Sequence, residues 1–139
     1  MAKNEQPVFT RAGVNEHGTI SVANANLDGS GTLVTVADGQ TEGVRIDQIE
    51  IKAIGTTTLG MVRIFLSING GGNFFLWREI PVAAIIPSGT VEAFSAVIDL
   101  TTALNDPPLV LADTNDIIAF ATENAESFEC WVRGGAFAA

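Results

Sequence analysis

The stretch MVRIFLSINGGGNFFLWREIPV, residues 61–82, places two apolar runs on either side of a run of glycines. In the first run Val62, Ile64, Leu66 and Ile68 alternate with Met61, Arg63, Phe65 and Ser67. A period of two is that of a strand, whose successive side chains point to opposite faces. We therefore expect the first set to face a core, while the second mixes bulk with charge. Glycine reaches the positive φ that tight connections need, so INGGGNF is expected to close a β-hairpin. Few chains carrying such a hairpin can be anything but β-rich.

The rest of the chain agrees. We find no apolar set at helical spacing with a cap and a stop. Candidate strands, separated by Gly, Asn, Asp, Pro and Thr clusters, are Thr19–Ala23, Thr32–Ala37, Val44–Ile54, Met61–Ile68, Phe74–Val82, Val91–Leu100, Pro108–Leu111, Asp116–Thr122 and Ser127–Phe137. Short, closely spaced strands predict an all-β, single antiparallel β-sandwich, jelly-roll-like. In VRIDQIEIKA the apolar parity changes between Ile46 and Ile49, and a β-bulge at Asp47-Gln48 would restore Val44, Ile46, Ile49 and Ile51 to one face. Residues 1–18 are polar and unperiodic, so we read them as an extended N-terminal arm ordered by a neighbour, and residues 19–139 as the sandwich domain.

With 139 residues the chain is long enough for one domain with its own core. The net charge is -9, from 7 basic and 16 acidic side chains, which argues against a nucleic-acid partner held by phosphate neutralisation. No apolar run approaches the ~20 residues of a membrane span, and the N-terminal stretch lacks the apolar region of a signal peptide. The single cysteine, Cys130, is in step with Phe128 and Val132 and reads as a small buried hydrophobe.

Chemistry is hard to find. The one histidine, His17, lies in the expected arm and reads as solvated. With one His and one Cys, no Cys/His metal cluster can form. Ser88 belongs to an ordinary turn, IPSGT. The DTND run, Asp113–Asp116, offers oxygen ligands to a calcium ion but lacks EF-hand spacing and reads as a turn. Glu123, Glu126 and Glu129 cluster after the eighth strand, where a glycosidase pair would need two opposed carboxylates. NGGGN, Asn69–Asn73, has strands on both sides and no nearby Lys, so it is a hairpin rather than a phosphate loop. No catalytic residue, cofactor or metal ligand is assigned.

FFLWREIPV, Phe74–Val82, would put Phe75, Trp77 and Glu79 on one face and Phe74, Leu76, Arg78 and Ile80 on the other. Either one face contacts another subunit, or the strand lies inside the sandwich with Arg78 at an edge. Trp, Arg and aromatic residues are typical interface anchors. The candidate partner-binding residues are accordingly Phe9 and Arg11 in the arm, and Trp77 and Arg78 in the hairpin.

RIDQIEIKAIGTTTLGMVRIFLSI (Arg45–Ile68), LWREIPV (Leu76–Val82) and PPLVLADTNDIIAFATENAESFECWVRGGAF (Pro107–Phe137) resemble small all-β structural proteins of tailed bacteriophages. The resemblance implies a capsid decoration, or cement, protein: a non-enzymatic homotrimer bound to the major capsid protein on the outer surface of the virion, assembled in the host cytoplasm. It supplies no catalytic residues. The alternative is a phage tail-tip or fibre domain binding a receptor or carbohydrate, although the absence of Tyr counts against a recognition surface. A small carbohydrate-active or calcium-dependent enzyme using Glu123, Glu126 and Glu129 ranks last.

Overall fold

A computed structural model describes residues 10–68, 70, 72–101 and 109–137. Among them are nine strands: β1 (Ala12–Ile20), β2 (Val34–Asp38), β3 (Val44–Ala53), β4 (Gly60–Ser67), β5 (Phe75–Val82), β6 (Ser95–Asp99), β7 (Leu109–Leu111), β8 (Ile117–Thr122) and β9 (Phe128–Ala136). They build two antiparallel sheets packed face to face as a β-sandwich. The first has the order β1-β9-β3-β6, with short β7 also on β3, and the second β2-β8-β4-β5. The only hairpin within the second sheet is β4–β5, and the sandwich is otherwise wound by connections that mostly change sheet.

The expected bulge is present in β3. Its register on β9 shifts between Ile46 and Gln48, so Asp47 is the extra residue. Val44, Ile46, Ile49 and Ile51 all end fully buried on the inner face. The same bulge divides the other edge of β3: β7 pairs Val44–Ile46 upstream and β6 pairs Gln48–Lys52 downstream. From the opposite sheet Val62, Ile64, Ile118 and Phe120 close the core. Each such side chain contributes ~1.5–3 kcal/mol by leaving water.

Cys130 lies within this core, fully buried with Phe128 and Val132. Burial, followed by the nearby Glu129 charge, pushes its thiol pKa up to about 12. The thiolate is the reactive form, so a thiol reagent at neutral pH should leave the native protein unmodified and label it fully once denatured. Fast stoichiometric labelling of native protein would instead show that β9 opens locally.

The expected arm needs correction. From Ala12 onward the chain is β1, paired along its whole length with β9 from Ala12↔Ala136 to Ile20↔Phe128. The polar pattern that suggested an arm arises because β1 is an edge strand with one face in solvent; Val14 and Ile20 supply its buried positions. Residues 1–9, including Phe9, lie outside the described residues, as do Asn69, Pro107 and Pro108. The expected strand at Thr19–Ala23 is the end of β1 plus an isolated bridge, Ala23↔Thr122.

The β4–β5 hairpin forms as expected, with Gly70 and Gly72 at positive φ. Two features differ from the alternation. Ile68 lies beyond the end of β4 and is exposed, while Arg63, Phe65 and Ser67, on the outer face, are buried. The loop from β1 to β2 is fastened to this sheet. Asn24 is tied to β8 through its backbone N–H on Thr122 O (2.8 Å), and its side-chain amide donates to Ser30 O and Thr32 O. Between these anchors Gly29 lies so close to Phe74 that an added Cβ would stand 2.1 Å from its carbonyl oxygen. The loop is thus anchored beside β8 at Thr122 and closely approaches Phe74, just before β5. The second feature is a bulge in β5. Ile64 pairs Arg78 but Phe65 pairs Leu76, so Trp77 is the extra residue. The bulge turns the Trp77 side chain against the core, whereas Glu79 faces outward to Arg63. Strict alternation would have kept the two on one face.

Candidate docking surface

Leu59 follows three threonines and precedes Gly60; Ile86 precedes Pro87, Ser88 and Gly89. Apolar residues set among turn formers have no strand face on which to be buried. The loop from β3 to β4 and the loop from β5 to β6 meet at one end of the sandwich, where they expose Ile54 (56%), Leu59 (79%), Ile86 (76%) and Val91 (47%).

These loops are held by hydrogen bonds. Thr57, itself buried, exchanges backbone bonds with Ile85 (2.9 and 3.1 Å), and its hydroxyl donates to Ala83 O at 2.7 Å. The Glu126 carboxylate accepts from the Thr58 N–H and hydroxyl at 2.8 and 2.6 Å. The Asn124 amide donates to Thr58 Oγ1 and Leu59 O. Ser88 Oγ accepts from the Thr90 and Val91 N–H groups, the turn expected from IPSGT. Ala53 N–H to Phe94 O joins the base of the patch to the sheet. A loop fixed in this way presents its apolar side chains with little further ordering cost on association.

The outer face of the first sheet is different. Its rows run Thr19–Glu129–Lys52–Ser95, His17–Trp131–Glu50–Val97 and Asn15–Arg133–Gln48–Asp99. Trp131 has the His17 ring 4.5 Å from its own and the Arg133 guanidinium 5.3 Å from its centroid. Arg133 donates to Asn15, Gln48 and Glu50. Hydrogen bonds from His17 and then Thr19 hold the Glu129 carboxyl below its ordinary pKa range. His17 is thus partnered rather than simply solvated. The polar groups of this face largely satisfy one another.

The sequence-derived residues are scattered. Trp77 and Arg78 come together, with the guanidinium 4.9 Å from the ring centroid, but Trp77 packs against the core. Arg11, exposed just before β1, is tied through its N–H to Ala136 O of the neighbouring β9, in the first sheet. β1 and β5 are edge strands at opposite ends of the two strand orders, and β1 packs on β2. The three glutamates also part: Glu123 approaches Arg63 (3.8 Å), Glu126 holds Thr58 and Glu129 holds His17. Asp113 and Asp116 accept backbone N–H groups from Asn115 and Ala112, as a turn requires. Among the described residues no three His, Cys, Asp or Glu side chains gather as a metal-binding group. Two cavities beside β1 and β2 measure about 50 and 150 Å³. Ligand pockets typically measure ~300–1,000 Å³.

From sequence the TTTLG turn, Thr56–Gly60, is an alternative to the arm as the contact segment, but the residues singled out as anchors lay in the arm and in the β4–β5 hairpin, and Ile54, Ile86 and Val91 were not among them. The signal was present as Leu59 and Ile86, large aliphatics embedded in turn chemistry. No family model matches the chain, and no curated protein matches it.

Proposed function

We propose that the chain is a non-enzymatic structural protein of a tailed-phage virion, a decoration protein that binds the outer capsid surface and stabilises the shell. The observation that carries this reading is the hydrogen-bonded loop end with Ile54, Leu59, Ile86 and Val91 turned to solvent. Large aliphatics held rigidly outward favour a protein neighbour over a small molecule. The resemblance of Arg45–Ile68 and Pro107–Phe137 to phage structural proteins names that neighbour, the major capsid protein. The strand orders support a jelly roll: with β7 set aside, eight strands divide as β1-β9-β3-β6 and β2-β8-β4-β5. Trimers on the lattice would multiply modest contacts into retention. One observation favours the second reading, a tail-tip or fibre domain binding a receptor or carbohydrate: the outer sheet face with Trp131 among His17, Arg133, Glu50 and Gln48.

Quantitative mass spectrometry of purified particles decides between them. A copy number comparable to that of the major coat protein supports a lattice component. A handful of copies per particle moves the chain to the tail or a vertex and removes the decoration reading.

A further inference from the structure

We infer that the surface receiving the loop end is an apolar recess bordered by basic side chains. This partner chemistry rests on the docking reading above. The exposed aliphatics are flanked by Glu92, Glu123 and Glu126, one from the β5–β6 loop and two from the β8–β9 loop. Glu92 has a side chain 75% exposed and reaches Lys52 at 2.5 Å. Glu126 is bonded to neutral donors, the N–H and hydroxyl of Thr58. Glu123 lies 3.8 Å from Arg63, but the Arg63 side chain is only 9% exposed and meets it from beneath. Around the patch the three carboxylates thus outnumber the two cations that meet them, Lys52 with a side chain 35% exposed and the nearly buried Arg63. A second copy of this chain would set those carboxylates against their equals, on a molecule already at -9. A basic rim would turn the same groups into attractive contacts that steer association and fix register. The match is salt-dependent because such pairs sit at the wet margin of the contact.

The probe is the native particle's shell stripped of this protein, with rebinding followed by co-sedimentation at low and at high salt. E92Q/E123Q/E126Q removes the charge and leaves one acceptor oxygen at each position, enough for both Thr58 bonds to residue 126, which use a single oxygen. It is expected to bind about tenfold more weakly at low salt and to converge with the native protein at high salt. Glu92→Lys, at a position with no structural role beyond its contact with Lys52, is expected to lose at least as much, and serves should the triple variant fold poorly. Native affinity and native salt dependence in both variants would overturn the basic rim and leave the decoration reading standing. Failure of the native protein to rebind at any salt would remove both. Self-association of the native chain that disappears in L59S/I86S would assign this end to a second copy and overturn the inference.

Discussion

On the decoration reading, a protein carrying Leu59→Ser and Ile86→Ser is expected to fold as the native chain does and to lose its hold on the shell. The two side chains are 79% and 76% exposed, so the folded monomer takes little stability from them. Surface substitutions of this kind change stability by about 0.5 kcal/mol or less. Docking is another matter, because each large aliphatic taken out of water contributes ~1.5–3 kcal/mol. Losing both should weaken rebinding to stripped shells by roughly a hundredfold or more, the equivalent of ~3 kcal/mol. Unfolding curves and shell co-sedimentation, measured on one preparation, separate the two effects. Undiminished rebinding by a normally folded double variant would show that this end is not the docking surface.

The second large effect falls on stability alone. Gly134 in β9 faces the β3 bulge, where a Cβ would stand 1.8 Å from Arg45 O and 3.0 Å from Ile46 Cα. Both are backbone atoms of a strand paired on both sides, so neither can swing away as a side chain would. Gly134→Ala is expected to cost more than ~4 kcal/mol, a large share of the ~5–15 kcal/mol that holds a typical domain. Little soluble folded protein should be recovered, and what remains should melt far below the native chain. Gly13→Ala is the control, in β1 with nothing within 4 Å of its added Cβ. It is expected to fold normally. A Gly134→Ala protein melting within a few degrees of that control would mean that the bulge relaxes freely.

The sandwich was legible because its strongest signals are local. The β3 bulge could be read from a parity change between Ile46 and Ile49, and the hairpin from glycines between two apolar runs. What stayed hidden depends on distant partners. β1 is polar along most of its length and becomes a strand only because β9 lies beside it, which no local pattern reports. The β5 bulge at Trp77 carries no composition signal, since Trp77 and Arg78 suit a regular strand equally well, and it reversed which side of that residue faces inward. Phe65, on the outer face of β4, is nonetheless fully buried, which the alternation of its strand does not report. The TTTLG turn was legible as a contact candidate, but its meeting with Ile85 was not, because the Thr57–Ile85 bridge joins two separate loops.

The strand order also governs when the molecule can come into being. β8 lies between β2 and β4, and β9 between β1 and β3, so the two strands latest in the described order hold inner positions in both sheets. Among the described residues β1 pairs only with β9 and β2 only with β8, so both must wait, unpaired, until those strands are synthesised. At ~5–20 residues per second that wait lasts from several seconds to about half a minute. Closure is then a late, largely non-local event, the kind of topology that folds slowly but as a unit. An interrupted chain cannot imitate the finished one: without β8 and β9 there is no sandwich to hold the loop end in place.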